Sequence, residues 1–195
     1  MDILKQKIIL ASQSPRRQQL MREAGFSNFI IRSTNVEEDY PADLPVKEIA
    51  PFLAKKKAMA ARSWIKEGEI VLAADSVVVL GEKVYEKPKD YQDAVRILSE
   101  LSGRMHQVVT GVCLCSVEKE HVFSGITDVY FDDLEEAEIN YYIHTCKPYD
   151  KAGSYGVQEW LGHCKVRKID GSFTNVMGLP MNLVYKELEA FLGEL

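Results

Sequence analysis

The chain has 195 residues, 46% of them hydrophobic and 27% charged, and 24 Lys and Arg against 29 Asp and Glu give a formal net charge of −5. These proportions are typical of a globular protein, and the acidic balance argues against nucleic-acid binding, which depends on excess Lys and Arg. The sequence contains no apolar run long enough to span a membrane and no signal-peptide pattern, so we predict a cytoplasmic protein that contacts no membrane. The length predicts one domain over residues 1–195.

The first elements are predicted from an apolar run and a pair of cap residues. Lys7–Ala11 has the composition of a short buried strand. Ser14 and Pro15 predict the N-cap and first residue of a helix, because proline lacks the N–H that a first turn leaves unpaired. This helix is expected to end at Gly25, since glycine tolerates the left-handed conformation that follows many helices.

The rest of the chain is predicted from apolar periodicity and from turn signals. Helices are expected at about residues 46–66, 90–103, 134–145 and 180–192, and strands at 28–32, 70–74, 77–80, 83–85, 105–116, 121–131 and 165–169. Asp75 follows the end of the strand at 70–74 in this prediction. Early alternation of strands and helices, with hairpins in the middle, predicts an α/β fold with a mixed β-sheet.

The segment from Ser12 to Arg17 lies between the first predicted strand and the first predicted helix. Free N–H groups at a helix N-terminus favour anions, and the guanidinium groups of Arg16 and Arg17 add paired donors. Ser14 and the two arginines could therefore bind phosphate. The alternative is a capped surface helix with solvated arginines.

Two acidic positions are candidates for metal binding or acid–base chemistry. Asp75 follows an apolar strand, and ligands of open α/β sheets bind beyond the carboxyl ends of strands. A carboxylate there can hold Mg²⁺ or position a water molecule, whereas the alternative is an Asp that only forms a turn. Glu38 lies in a run of three acidic loop residues, which could supply a metal ligand or form a solvated turn.

Three lysines and a segment of small residues complete the candidates. Lys57 lies in a run of three lysines, and Lys87 and Lys151 each lie beside a turn signal. Lysines bind phosphates as point charges, although a charged helix face or loop is the simpler interpretation. The segment Gly153–Gln158 could let the backbone approach a ligand closely, or could be a tight bend. Cations and carboxylates together favour metal-assisted attack on a phosphoanhydride.

The sequence resembles the Maf-family nucleoside triphosphate pyrophosphatases. The resemblance is carried by five blocks in order along the chain: LASQSPRRQQLMREAG, LAKKKA, VLAADSVVVLGEKVYEKPKDYQDAVRILSELSGRMHQVVTGV, YDKAGSYGVQ and IDGSFTNVMGLPM. It implies an elongated mixed sheet flanked by helices, similar to inosine triphosphatases (a Maf/Ham1 architecture). It also implies hydrolysis of a nucleoside triphosphate to the monophosphate and pyrophosphate, with a divalent metal, Mg²⁺ or Mn²⁺.

The resemblance also implies roles for individual residues. Asp75 matches the family's proton acceptor, and Glu38 matches an acidic loop residue that would hold the metal with Asp75. Arg16, Ser76 and Gln158 match positions that contact the base. The full set of implied substrate-binding residues is Ser14, Arg16, Arg17, Lys57, Ser76, Lys87, Lys151 and Gln158.

The sequence offers two neighbouring residues, Gln158 and Glu159, as contacts for the base. The form YGVQ resembles the branch of the family that acts on dTTP and UTP, and an amide such as that of Gln158 can both donate to and accept from a uracil edge. Two positions depart from the family pattern. Ser76 stands where Thr is usual and keeps the hydroxyl. Glu159 follows Gln158 where many relatives have Gly, so a shift of the loop by one residue would make Glu159 an alternative contact for the base. A nucleotide-binding regulator of septum formation, a phosphatase that removes the terminal phosphate, and a homodimer also stay open.

Overall fold

A computed structural model describes residues 2–193 and contains a β-sheet with helices around it. Its strands are β1 Lys7–Leu10, β2 Phe29–Ile31, β3 Glu69–Leu80, β4 Lys83–Tyr85, β5 Met105–Cys115, β6 Glu120–Phe131 and β7 Val166–Asp170. Its α-helices are α1 Pro15–Glu23, α2 Ile49–Ala61, α3 Tyr91–Leu101, α4 Glu136–Cys146, α5 Trp160–Cys164, α6 Phe173–Met177 and α7 Met181–Gly193. Within residues 2–193, no helix is long and apolar enough to cross a membrane.

The sheet is mixed, as the sequence predicts. Its strand order is β2-β1-β3-β5-β6-β7, and β4 pairs with β3 outside this path. Strand β1 runs parallel to β2 and β3, with Leu10 opposite both Ile31 and Leu72. The pairs β3–β4 and β6–β7 are antiparallel. The predicted α/β class with a mixed sheet flanked by helices is confirmed.

Most helix ends lie close to their predicted positions. Ser14 is the N-cap of α1, and Gly25 follows the helix with a φ of 86°. Asp90 caps α3 by accepting a hydrogen bond from the backbone N–H of Asp93. Helix α2 is shorter than predicted and begins at Ile49. The short helices α5 and α6 were not predicted, because five residues are too few to show a helical period.

Strand β3 continues through Asp75, where the sequence predicts that a strand ends. Pairing with β1 stops at Leu72 and pairing with β4 starts at Val78, so Asp75 lies between two ladders on one strand. The predicted strand end is wrong. Apolar residues on both sides of Asp75 are buried, and their burial in a continuous strand outweighs the turn tendency of an Asp-Ser pair.

Backbone contacts divide the described chain into two compact units. The first takes the described parts of Met1–Asp75, Thr110–Gly125 and Gly178–Leu195, and the second takes Ser76–Val109 and Ile126–Met177. Three of the four unit boundaries fall inside β3, β5 and β6, and the fourth lies between α6 and α7. The assignment of residues 1–195 to one domain stays a prediction.

The core of the first unit packs α2 against the sheet through small residues. Ala54, Ala58 and Ala61 recur at helical spacing and are fully buried among residues of β1, β3 and β5. Gly111 of β5 lies under α2, where an added Cβ would be 2.2 Å from the helix backbone. This close approach fixes the position of α2, which carries Lys57.

The core of the second unit contains a cluster of aromatic rings. The ring nitrogen Nε2 of His106 is 2.8 Å from the Tyr155 hydroxyl, and both rings pack edge-on against Phe131. All three side chains are buried. The cluster anchors Tyr155, and with it the small-residue segment that the sequence singles out.

Candidate active site

Four charged residues of the first unit form what we call the Asp75 cluster: Arg17, Glu38, Lys57 and Asp75. The ammonium group of Lys57 is hydrogen-bonded to Asp75 Oδ1 and lies 2.7 Å from Glu38 Oε1. The side chains of Lys57 and Asp75 are 13% and 11% exposed, whereas that of Glu38 is 45% exposed. One buried cation therefore joins a buried and a half-exposed carboxylate.

Each member of this pairing comes from a different kind of element. Asp75 lies on β3, three residues beyond Leu72, the last residue that pairs with β1. Lys57 lies one turn beyond the buried Leu53 on α2, and Glu38 lies in the loop between β2 and α2. A rigid strand and a packed helix thus hold Asp75 and Lys57, while the loop carries the more exposed carboxylate.

Arg17 is held by backbone carbonyl groups next to Asp75. Its Nη1 donates to the carbonyl oxygen of Ala74 at 2.8 Å, and its Nε donates to that of Gly178 at 2.8 Å. Burial lowers the pKa of Arg17 from 12.5, while nearby Asp75 raises it. Because the pKa of Arg starts so high, the side chain stays a cation and supplies positive charge beside Asp75.

Ser14 and Arg16 lie at the start of α1, and both are half-buried. The backbone N–H of Ser14 donates to Ser12 Oγ at 3.2 Å, which fixes the turn that leads into the helix. Their assignment to substrate binding stays a prediction.

Lys151 lies in the second unit and is buried. Its Nζ is 2.8 Å from Asp150 Oδ1 and 3.1 Å from Glu159 Oε1. Burial of an ammonium group is costly unless carboxylates compensate its charge. The pairing with Glu159 was not predicted, and it holds Lys151 next to the segment that ends in Gln158.

A glycine positions the Lys151 segment. Gly153 has a φ of 70°, and a Cβ at this position would be 2.7 Å from Val78 Cγ2. Its backbone N–H donates to the carbonyl oxygen of Glu86 at 3.2 Å. The segment that carries Lys151 therefore lies beside the segment that carries Lys87, whose side chain is exposed.

Gln158 presents a buried hydrogen-bond acceptor. Its Oε1 is buried and lacks a hydrogen-bond partner within residues 2–193. A buried polar atom left unpaired costs about 1–3 kcal/mol. A ligand that donates a hydrogen bond to this oxygen would remove that cost.

The Asp75 cluster fits a divalent cation only together with other ligands. Within the described residues, no group of three or more His, Cys, Asp or Glu side chains could hold a metal ion. However, Asp75 and Glu38 approach one ammonium group, so both can approach one cation. Mg²⁺ is commonly bound by one or two carboxylates together with substrate phosphates and water. The two residues fit such a shared site.

Comparison with known proteins identifies the family. The sequence matches the family described as Maf-like protein over residues 7–191. The chain is a Maf-like protein. It is 48% identical over 185 residues to the dTTP/UTP pyrophosphatase of Bacteroides thetaiotaomicron, with 95% of this chain and 96% of the relative covered. It is 50% identical over 182 residues to the dTTP/UTP pyrophosphatase of Cytophaga hutchinsonii, with 93% and 83% covered.

The fold of this Maf-like protein is shared with a more distant solved structure. The Staphylococcus aureus Ham1 protein is similar with a TM-score of 0.56 and 17% identity, and the match covers 94% of this chain and 98% of that one. This likeness concerns the fold alone, and it agrees with the Maf/Ham1 architecture that the resemblance implies.

The predicted site residues of the Maf-like protein are divided between the two compact units. Arg17, Glu38 and Lys57 lie around Asp75 in the first unit, whereas Ser76, Lys87, Lys151 and Gln158 belong to the second. Ser76 follows Asp75 on β3, so its half-buried side chain is on the opposite face of the sheet.

The sequence analysis did not identify Tyr142, whose hydroxyl donates a hydrogen bond to Glu159. Periodicity can indicate that a helical Tyr is buried, but not which carboxylate it meets.

Proposed function

We propose that this Maf-like protein hydrolyses nucleoside triphosphates to the monophosphate and pyrophosphate, with a divalent metal and with dTTP and UTP as preferred substrates. The observation that carries the proposal is the buried carboxylate of Asp75, bonded to Lys57 and close to Arg17. The names of relatives that are about half identical over nearly the whole chain support the same reaction.

Asp75 acts as the base in this proposal. Water attacks the α-phosphorus, the bond between the α- and β-phosphates breaks, and its electron pair leaves on the pyrophosphate. The attacking water must lose a proton, and Asp75 accepts it. Lys57 holds the carboxylate in one orientation, and such positioning of a base contributes to the rate.

The cations of the Asp75 cluster counter the charge of the triphosphate. Arg17 is fixed by two backbone carbonyl groups, so its positive charge stays beside Asp75. Lys57 supplies a second positive charge on a packed helix. Asp75 and Glu38 would hold the metal, which supplies further positive charge against the phosphate oxygens when it is bound.

Gln158 selects the base. Thymine and uracil present an N3–H donor beside the O4 acceptor, and an amide can accept from the first and donate to the second. The buried Oε1 of Gln158 is suited to accept from N3–H. Cytosine has no N3–H, and one unpaired buried group costs about 1–3 kcal/mol, or roughly 5- to 150-fold in kcat/KM.

A panel of nucleotides tests the proposal. The common ribo- and deoxynucleoside triphosphates and 7-methyl-GTP are incubated with the protein and Mg²⁺ or Mn²⁺, and pyrophosphate is measured. We expect release of pyrophosphate, with the highest kcat/KM for dTTP and UTP. Binding without release would instead indicate a nucleotide-binding regulator, and orthophosphate as first product would indicate a phosphatase. Equal rates on all bases would contradict the specificity alone.

A further inference from the structure

Glu159 is fixed in place through both its side chain and its backbone. Its Oε2 accepts a hydrogen bond from the Tyr142 hydroxyl, and its Oε1 is 3.1 Å from Lys151 Nζ. Its backbone N–H donates to the carbonyl oxygen of Gly156 at 3.0 Å, and its carbonyl oxygen accepts from the N–H of His163 at 3.0 Å. A carboxylate held on both oxygens is poorly placed to contact a base.

Tyr142 connects this carboxylate to the rest of the second unit. The Tyr142 side chain is fully buried, and burial, assisted by the bond to Glu159, raises the pKa of its hydroxyl. The hydroxyl therefore stays protonated and donates to Glu159, while it accepts from the N–H of Gly156 at 2.9 Å. Helix α4 thus holds both the carboxylate and the backbone of the Gly156 segment.

The side chains of Glu159 and Gln158 converge on Gly156. A Cβ added to Gly156 would be 2.9 Å from Glu159 Oε2 and 3.1 Å from Gln158 Nε2. The amide nitrogen carries the positively polarised hydrogens, so a nearby carboxylate favours the orientation in which Nε2 faces it and Oε1 faces away. Oε1 is the atom left with an unused acceptor position.

We infer that Glu159 is a positioning residue that fixes the orientation of the Gln158 amide and so sets the preference for thymine and uracil over cytosine. The inference rests on the proposed function. The oxygen and the NH2 group of an amide have nearly the same shape, so without the carboxylate the Gln158 amide could adopt either orientation. In the flipped orientation its NH2 group would donate a hydrogen bond to N3 of cytosine. The negative charge of Glu159 removes this ambiguity without any contact to the base.

The test compares kcat/KM for dTTP and dCTP in the full-length protein and in Glu159→Gln. The substitution keeps the shape and removes the charge. We expect the ratio of dTTP to dCTP to fall by at least about fivefold, the lower end of what one unpaired group contributes. Loss of the contact between Glu159 and Lys151 would raise KM for dTTP and dCTP alike and leave their ratio unchanged. A change in the ratio of kcat/KM values therefore reports the orientation of the Gln158 amide. Glu189→Gln, an exposed change in α7, is the matched control and should keep the ratio.

Tyr142→Phe provides a second variant that introduces no new polar group. It keeps the charge of Glu159 but removes the hydrogen bonds by which Tyr142 holds Oε2 of Glu159 and the N–H of Gly156. The carboxylate is then no longer held beside Gln158, so the ratio should fall here as well. An unchanged ratio in both folded variants would overturn the inference while leaving the pyrophosphatase proposal intact. A wild-type protein that does not discriminate between dTTP and dCTP would overturn both the inference and the proposed specificity.

Discussion

Lys57 lies against Asp75, with its ammonium group hydrogen-bonded to the carboxylate and both side chains largely buried. Removal of one partner from a buried ion pair typically costs about 3–5 kcal/mol, because the remaining charge is left uncompensated. Loss of either partner alone is therefore expected to destabilise the first unit, and the pairing orients the proposed base.

Lys57→Met should lower both stability and activity. We expect the free energy of unfolding to fall by about 3 kcal/mol, and kcat/KM for dTTP to fall at least tenfold, since a cation near the phosphates is lost. Urea unfolding and pyrophosphate release measure the two effects. Lys56→Met is the matched control, because Lys56 pairs with Asp39, whose side chain is 72% exposed, and exposed pairs contribute little. Equal losses in the two variants would contradict the account.

Activity should depend on an added divalent cation. Lys57 already lies between Asp75 and Glu38 and compensates their charge. The triphosphate brings further negative charge beside these carboxylates, and a divalent cation would offset it. We expect chelation to abolish pyrophosphate release and Mg²⁺ or Mn²⁺ to restore it. In Glu38→Gln, the metal concentration for half-maximal rate should rise several-fold, whereas Glu37→Gln, an exposed neighbour, should leave it unchanged. Full activity after complete removal of metal would show that the carboxylates have another role.

The sequence predicts those features of the fold that local signals determine. The start of α1 at Ser14 and Pro15, its end before Gly25 and the cap of α3 at Asp90 agree with the structure. The limits of α1 depend on the backbone preferences of Pro15 and Gly25, and the cap of α3 depends on a side-chain hydrogen bond from Asp93 N–H to Asp90. The path of β3 through Asp75 depends instead on burial of apolar residues before and after it. No local signal separates an Asp in a buried strand from an Asp in a turn.

The same distinction applies to the candidate site. The resemblance to a family implies that Asp75, Lys57 and Gln158 belong to the site, but it does not indicate the partners that orient them. The bonds of Arg17 to the carbonyl groups of Ala74 and Gly178 join segments far apart in the sequence. Such contacts follow from the packing of elements against one another and become visible only when the fold is known.

Gly153→Ala should disrupt the segment that carries Lys151. Alanine would be strained by the positive φ at this position, and its Cβ would clash with Val78 Cγ2 at 2.7 Å. Gly68→Ala is the matched control, because Gly68 has a similar φ of 76° and no described atom within 4 Å of the added Cβ. We expect Gly153→Ala to be the less stable variant in urea unfolding by about 1–3 kcal/mol, the usual cost of overpacking. Similar stability of the two variants would contradict the packing argument.

His106 should make stability depend on pH. Burial lowers the pKa of His106 from 6.5 to about 3. Between these values the unfolded chain binds a proton that the folded protein does not, so stability falls as pH decreases from 6.5 towards 3. One such proton corresponds to about 1.4 kcal/mol per pH unit.

The variant His106→Gln should remove this part of the slope, because glutamine does not titrate. The measurement is urea unfolding at several pH values between about 4 and 6, where His106 contributes one proton to the slope. The difference in slope between the variant and the wild type isolates this contribution from that of the carboxyl groups. His163→Gln, at an exposed position of the same unit, should keep the slope of the wild type. An unchanged slope in folded His106→Gln would mean that another group is responsible.

The most direct test of the central proposal identifies the products formed from dTTP. Phosphorus NMR monitors the reaction of the wild-type protein and of Asp75→Asn prepared in the same way. An amide cannot accept the proton of the attacking water, and positioned proton transfer typically contributes about 10²–10⁴-fold to the rate. We therefore expect dTMP and pyrophosphate from the wild type, and a rate at least about a hundredfold lower from a folded Asp75→Asn. Formation of dTDP and orthophosphate, or near wild-type turnover by the variant, would contradict the account.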